Sequence, residues 1–205
     1  IDSEQIKKTI VSYMSNELLK EAVVIYSQTS GTIDGNSPHR VSLTGALLTE
    51  GVHSDHDIGI TSQLADGGRY TVSIEAWDKA GNPATITPIN DVYFDILPPA
   101  LSLSAPKSGS IVNTAVLTYG TSEEMGKGQM RFVRSGGAED PLSPHEIEMT
   151  GIRLKQGDHY DESFENDMAL KDGGIYTIEF SGEDLAGNVS ELVSINNITF
   201  DITLP

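Results

Sequence analysis

Cysteine is missing from the 205-residue sequence, and basic residues are scarce. Without cysteine the chain has no disulfide framework, no thiolate zinc site and no cysteine nucleophile. Thirteen Lys and Arg residues stand against thirty Asp and Glu residues, which gives a formal net charge of −17. Binding to nucleic-acid phosphates needs clustered positive charge, so this balance predicts no nucleic-acid partner and favours cations as small ligands.

Long apolar runs are also missing. The longest, Ala22–Tyr26, is far shorter than the roughly 20 apolar residues that a membrane-spanning helix needs. The sequence therefore predicts no membrane insertion. What it does contain is 20 Gly and 9 Pro, enough turn formers to indicate many short strands.

An internal duplication organises the chain. Residues 11–99 align with residues 117–205 at a constant offset of 106 without a gap, and 29 of the 89 paired positions are identical. The sequence therefore predicts two copies of one domain, residues 1–97 and 98–205. Ala100–Ser104 is predicted to open the second copy, and its equivalent falls before residue 1. We therefore expect the first copy to lack its opening strand, unless Ile1–Gln5 replaces it.

Apolar residues alternate with polar ones inside each copy, as in Tyr176, Ile178 and Phe180. This period of two is typical of strands with one buried face, and Gly, Pro and Asn separate the runs. Roughly seven strands in about 100 residues indicate a β-sandwich. We predict an all-β chain of two tandem immunoglobulin-like (Greek-key) β-sandwich domains.

Two short motifs recur in both copies. Leu-x-Asp-Gly-Gly-x-Tyr, ending at Tyr70 and at Tyr176, matches a tyrosine corner, in which a buried ring sends its hydroxyl back to the backbone. Asp-x-Ala-Gly-Asn follows eight residues later and suits the hairpin before the last strand, with Gly and Asn at positive φ and Asp accepting backbone N–H bonds. The residues with predicted structural roles are Tyr70, Tyr176, Asp78, Asn82 and Asn188.

These motifs, together with Phe94-Asp95-Ile96 followed by Pro98-Pro99, resemble tandem bacterial immunoglobulin-like repeats of large secreted or cell-surface proteins. The stretch from Gly136 to His145 is similar to one repeat subtype of such proteins. The resemblance implies an extracellular or cell-surface location and a structural or adhesive stalk segment. Its implied partners are neighbouring repeats of the same chain and a host or cell-surface protein or glycan.

Sequence motifs for catalysis are missing: neither a Gly-x-Ser-x-Gly elbow nor a His-Glu-x-x-His pair occurs. We therefore predict that the chain is not an enzyme. Two alternatives stay open. One is a carbohydrate- or protein-binding module that uses Trp77, the single tryptophan, or a long loop from Gly151 to Asp167. The other is an accessory region of a secreted enzyme.

Metal binding is the sharpest chemical hypothesis. In this type of sandwich the tyrosine-corner turn and the end of the last strand lie at one pole, and the hairpins before the third and last strands lie at the other. The topology predicts that carboxylates of both copies meet at the junction and bind Ca²⁺, which takes six to eight oxygen ligands. The alternative is that they are solvated charges, or that Asp95 only caps the end of its strand. The residues concerned are Asp66, Asp95, Glu123, Glu124 and Asp184.

Histidines recur too, His39 with His145 and His53 with His159. A His-x-Asp pair in each copy, His53 with Asp55 and the equivalent pair in the second copy, is conceivable as part of a metal site. The competing interpretation is structural: Ser-Pro-His closes a turn, and the later histidine caps a loop by hydrogen bonding.

Overall fold

The computed structural model describes residues 4–204 and divides the chain into two compact units, Ile1–Leu97 (unit 1) and Pro98–Pro205 (unit 2). Apart from three single turns of 3-10 helix, the regular structure of the described residues is β-strand. Nothing helical in them has the length and apolarity to cross a membrane.

Up to Leu204, unit 2 contains eight strands and one 3-10 turn at Gly151–Leu154. The strands are β8 (Leu101–Ala105), β9 (Ile111–Val112), β10 (Val116–Thr121), β11 (Met125–Gly137), β12 (His145–Glu148), β13 (Gly157–Ser163), β14 (Gly174–Asp184) and β15 (Val193–Phe200).

Two sheets form the sandwich of unit 2. One has the order β13-β10-β8 and the other the order β12-β11-β14-β15-β9. Every pairing is antiparallel except that of β9 with β15. The alternating side chains of both sheets meet in one apolar core, because strands send successive side chains to opposite faces. The fully buried aromatic residues of this core are Tyr119, Phe132, Phe164, Tyr176 and Phe180.

Unit 1 repeats this architecture, and its residues from Glu4 onwards form seven strands and two 3-10 turns, Gly45–Leu48 and Thr61–Gln63. The strands are β1 (Gln5–Ile6), β2 (Ile10–Ser15), β3 (Leu19–Gly31), β4 (His39–Leu43), β5 (Gly51–Asp57), β6 (Gly68–Asp78) and β7 (Ile89–Phe94). The larger sheet has the order β1-β7-β6-β3-β4, and in these described residues the smaller sheet consists of β2 and β5. The predicted fold, two tandem immunoglobulin-like β-sandwiches in an all-β chain, is confirmed.

The start of unit 1 differs from the start of unit 2. Gln5 and Ile6 pair in parallel with β7, as Ile111 and Val112 pair with β15. This short strand is therefore the equivalent of β9. Within residues 4–204, unit 1 has no strand equivalent to β8, and the remainder of the predicted substitute, residues 1–3, lies outside the described part of the chain.

The predicted long loop from Gly151 to Asp167 is wrong. A 3-10 turn and strand β13 occupy most of it, and β13 pairs with β10. Sequence reasoning missed this strand because it lies at the sheet edge and His159 is its one buried residue. An edge strand that buries so little shows no clear apolar alternation.

One glycine pair explains how the longest strands turn into the following loop. Gly137 ends β11 with φ +66°, and a Cβ there would lie 2.2 Å from the carbonyl oxygen of Gly173. Gly31 repeats this geometry against Gly67 in unit 1. Backbone meets backbone at both places, so no larger residue fits.

Candidate functional site

A tyrosine, an aspartate and a histidine form a buried polar cluster in unit 1. The hydroxyl of Tyr70 accepts a hydrogen bond from the Ala65 backbone N–H at 2.9 Å and donates to Oδ2 of Asp34 at 2.8 Å. Nε2 of His39 donates to the same oxygen at 2.6 Å. The Asn36 N–H supplies a bond to Oδ1 of Asp34 at 3.0 Å, so both carboxylate oxygens are used.

Unit 2 builds the same cluster from the equivalent residues. The Tyr176 hydroxyl accepts from the Lys171 N–H at 2.8 Å and donates to Oδ2 of Asp140 at 2.7 Å, and Nε2 of His145 lies 2.7 Å from that oxygen. The Leu142 N–H binds Oδ1 of Asp140 at 3.1 Å. The cluster is thus a property of the repeat.

Burial and hydrogen bonding set the acidity of these groups. Burial is the main reason that the pKa of Tyr70 and that of Tyr176 rise to about 12, and the bond to the aspartate adds to it. For Asp34 and Asp140, burial works against ionisation. The bonds from the histidine, the tyrosine and a backbone N–H outweigh it, so the pKa of each carboxyl lies below its usual value.

This cluster ties the tyrosine-corner turn to the loop between β3 and β4, or between β11 and β12. Each buried polar group in it has a partner, as its low exposure demands. Asp34 and Asp140 were missed by the sequence interpretation. The signal was present, because Asp stands five residues before a Ser-Pro-His histidine in both copies.

The Asp-x-Ala-Gly-Asn motif closes the hairpin before β7 by side-chain bonds. Oδ1 of Asp78 accepts from the Asn82 N–H at 2.7 Å, and Oδ2 accepts from the Asn82 amide at 2.6 Å. These bonds from Asn82 lower the pKa of Asp78. Asp184 and Asn188 repeat both contacts in unit 2.

Positive φ at Asn in this hairpin was a wrong prediction. Gly81 and Gly187 adopt positive φ there, whereas neither Asn82 nor Asn188 does. The side chain of the asparagine explains its place in the motif instead, because its amide needs a carboxylate acceptor four residues earlier.

Two of the five carboxylates predicted to bind calcium lie near the end of unit 1. Oδ1 of Asp66 accepts from the Ile96 N–H at 2.8 Å, and Oδ1 of Asp95 accepts from the Leu97 N–H at 3.2 Å. Asp172 and Asp201 make the equivalent bonds to backbone N–H groups in unit 2. One function of these aspartates is therefore to hold the chain where it leaves the last strand.

The other three carboxylates belong to unit 2 and separate into two environments. Glu124 forms an ion pair with Lys155. Glu123 and Asp184 each offer a carboxylate oxygen, and the two oxygens lie within 4.8 Å of each other. Asp184 is 2% exposed. Ligation of calcium by carboxylates of both units stays a prediction.

The second histidine of each copy lies over a tyrosine ring. His53 and Tyr13 have ring centroids 4.8 Å apart, and His159 and Tyr119 have centroids 4.6 Å apart. Nε2 of each histidine donates to a backbone carbonyl, that of Thr49 or the equivalent Lys155, at 2.9 Å. This nitrogen is hydrogen-bonded to the loop, as the interpretation of the histidine as a loop cap requires.

Trp77 lies on β6 directly after the buried Ala76 and is half-buried, on the face turned away from the core. Glu21 lies opposite it on the neighbouring strand β3. The equivalent pair in unit 2, Lys127 and Glu183, forms an ion pair at 3.1 Å. A ligand-binding role for Trp77 stays a prediction.

No protein-family model matches the sequence, and none of the curated proteins compared with it matches either. Among solved structures, the chain is similar to the FN1–FN3 domains of chicken CNTN1, with 13% identity, a TM-score of 0.38 and coverage of 96% of this chain and 62% of that one. The fibronectin(III)-like modules of Clostridium thermocellum CbhA give 16% identity, a TM-score of 0.38 and coverage of 98% and 90%. The chain thus spans less than two thirds of the CNTN1 structure.

Proposed function

We propose that the chain is a non-catalytic structural or adhesive stalk segment of a large bacterial secreted or cell-surface protein. The observation that carries this proposal is that one sandwich is built twice at a gapless period of 106 residues. The polar residues that recur, such as Tyr70 and Asp78, bind their own unit. The residues that the two copies share are therefore structural. Domains repeated in tandem extend along the chain and can act as a spacer between its ends.

The sequence at the boundary of the two units suits this function. Unit 1 ends at Leu97, and Pro98 and Pro99 follow directly. Proline fixes φ and has no N–H to donate, so a Pro-Pro segment bends less than most dipeptides. A stalk needs such joints to keep its reach.

Small-angle X-ray scattering tests the stalk proposal. A single compact body of 205 residues would have a radius of gyration of roughly 17 Å. We expect a clearly larger value for the chain, and a broader distance distribution for Pro98→Gly combined with Pro99→Gly. A radius near that of one compact body, insensitive to the double substitution, would contradict the proposal.

Calcium stiffening is a finer part of the proposal and can fail separately. Support comes from the two close carboxylates of unit 2, Glu123 and Asp184. A carboxylate oxygen has two lone pairs, so Asp184 can hold Asn188 and still bind a cation. Ca²⁺ prefers such oxygen ligands. Asp95 is the further ligand that the sequence predicts.

Thermal unfolding with calcium and with chelator tests this part. A ligand that binds only the folded state at 100 times its Kd stabilises it by about 2.7 kcal/mol. We expect calcium to raise the Tm of the chain, and Glu123→Gln or Asp95→Asn to abolish the increase. Glu124→Gln, which removes an acid already paired with Lys155, is the matched control. Sodium chloride at equal ionic strength separates binding from screening of the net charge. An unchanged Tm would contradict calcium binding but would not affect the stalk proposal.

A further inference from the structure

A groove with a volume of about 550 Å³ lies on the larger sheet of unit 2. Residues of β11, β12 and β14 line it, together with Met149 and Val189. We call it the β11 groove.

Three polar side chains form a row across this groove. Gln129 on β11 lies opposite Glu148 on β12 and opposite Ser181 on β14. All three point away from the core, because the residues that follow or precede them, such as Met130 and Phe180, are buried in it. Residues directly opposite on neighbouring strands have Cβ atoms about 4.5–5.5 Å apart, so one ligand group can reach all three side chains. We call these residues the Gln129 row.

The rows on either side of the Gln129 row contain ion pairs. In one, Lys127 binds Glu183 at 3.1 Å. In the other, Nε of Arg131 donates to Glu146 at 2.9 Å, and Nη1 donates to Glu179 at 2.7 Å. Each of these rows therefore has a cation on β11 and an acid on at least one neighbouring strand.

The Gln129 row has an acid but no cation. Among residues 4–204, the side chains of Gln129, Glu148 and Ser181 make no hydrogen bond or ion pair. Together they offer carboxylate, amide and hydroxyl oxygens, all of which accept hydrogen bonds. The row thus presents one negative charge and several acceptors to a ligand in the groove.

The equivalent row of unit 1 does not have this property. It consists of Ser42, Val23 and Glu75, on β4, β3 and β6. Its acid, Glu75, forms an ion pair with Arg40. The unpaired acid therefore distinguishes unit 2 from unit 1 and is not explained by the shared scaffold.

A guanidinium group matches the Gln129 row. It is planar, always charged and carries five N–H donors. Arg131 shows in the next row that one guanidinium spans the distance from β12 to β14. Val189 is 67% exposed at the β14 side of the groove and offers apolar surface to the methylene stem of an arginine. The net charge of −17 attracts basic partners to the chain.

We infer that the β11 groove binds an arginine side chain of a basic protein partner, with the guanidinium held by the Gln129 row. Glu148 supplies the opposite charge. Gln129 and Ser181 supply the further acceptors that favour a guanidinium over an ammonium group. This binding function is additional to the proposed structural function and does not depend on it.

An NMR titration of the isotope-labelled 205-residue chain with the peptide acetyl-Gly-Arg-Gly-amide, at constant ionic strength, tests the inference. We expect saturable shifts of the Gln129 side-chain amide signals and of the Ser181 backbone N–H signal. The same peptide with citrulline keeps the shape of arginine without its charge, and it should bind about fivefold more weakly. The lysine peptide should also bind more weakly than the arginine peptide, because an ammonium is a point charge that cannot make parallel bonds.

Substitutions in the chain locate the site. Glu148→Gln should weaken binding of the arginine peptide by about fivefold. Glu165→Gln is the matched control, because it removes the same charge at an exposed position of unit 2 outside the groove. Gln129→Arg places a guanidinium of the chain itself in the row, so it should abolish peptide binding and raise the Tm. The NMR spectra of the variants show directly whether each is folded.

Three results would overturn the inference. One is an arginine peptide that causes no shift of the Gln129 signals up to its solubility limit. Another is a citrulline peptide that binds as tightly as the arginine peptide, because the ligand would then be recognised without its charge. The third is equal weakening by Glu148→Gln and Glu165→Gln, which would assign the binding to net charge instead of the groove.

Discussion

Tyr70 and Tyr176 each place one hydroxyl between a backbone donor and a carboxylate acceptor, with the whole ring buried. A hydroxyl in this position provides a hydrogen-bond partner for two buried groups, the backbone N–H and the carboxylate oxygen. Its loss leaves a buried N–H and a buried carboxylate oxygen with one partner fewer, which costs more than a surface hydrogen bond.

We expect Tyr176→Phe to lower the free energy of unfolding by about 1–3 kcal/mol, because it removes both bonds and retains the ring. Urea denaturation followed by circular dichroism measures the change. Tyr160→Phe is the matched control, since Tyr160 is 70% exposed and its bond to Asp158 lies at the surface. Equal effects of the two substitutions would mean that the buried cluster contributes nothing specific.

Asp34 and Asp140 give stability a defined dependence on pH. Their pKa values are lower in the folded state than the ordinary 3.8. Such a carboxyl stabilises the fold above its unfolded pKa, and this contribution disappears as the pH falls through the folded value. We expect the Tm to fall steeply below about pH 4, and less steeply for Asp140→Asn, whose Tm is already lower at pH 7. Glu139→Gln, at an exposed neighbouring position, should leave the steepness unchanged.

The tyrosines of this cluster were predicted from the sequence, and their aspartate acceptors were missed. A Leu-x-Asp-Gly-Gly-x-Tyr pattern is local, whereas Asp34 is 36 residues away from Tyr70 along the chain. Only the pairing of β3 with β6 brings the two together. Local patterns identify a donor more readily than its distant acceptor.

Strand ends carry the strictest steric demands among the elements. Gly137 and Gly151 both have positive φ, +66° and +61°, but only the first meets backbone where a Cβ would lie. The second has open space around that point. A comparison of these two glycines therefore separates the cost of positive φ from the cost of steric crowding.

We expect Gly137→Ala to be more destabilising than Gly151→Ala by about 1–3 kcal/mol, because both pay for positive φ and only the first forces atoms apart. Urea denaturation of the two variants provides the comparison. Equal destabilisation would show that the strand end relaxes at little cost.

Elements differed in how clearly the sequence predicted them. The central strand β14 buries every second residue over most of its length, so its period of two was obvious. The edge strands β5 and β13 bury almost nothing on a regular period, and they were not recognised. Alternation reveals strands with one buried face and misses those whose two faces are both largely exposed.

The whole molecule contains two versions of one sandwich with different packing. Unit 2 has Phe132, Phe164 and Phe180 where unit 1 has Tyr26, Ile58 and Ile74, and only unit 2 has a three-stranded smaller sheet within the described residues. More buried apolar area gives more stability. The gapless duplication predicted the shared topology, but the difference in packing depends on a strand that the described part of unit 1 does not contain.

We expect unit 1 to unfold at lower urea concentration than unit 2. Trp77 is the single tryptophan and lies in unit 1, so its fluorescence follows that unit, whereas circular dichroism follows both. The fluorescence midpoint should precede the last dichroism transition. Coincident transitions in the unmodified chain would contradict this asymmetry.

The parallel pairing of β1 with β7 has a mechanical consequence. The Tyr93 N–H binds the Glu4 carbonyl at 2.8 Å, and the Asp95 N–H binds the Ile6 carbonyl at 2.9 Å. Tension applied to the two ends of unit 1 pulls these neighbouring parallel strands in opposite directions along their length. Both bonds are then loaded together in shear instead of being opened one after the other. The hydrogen bonds between β1 and β7 therefore resist a pulling force on the unit together.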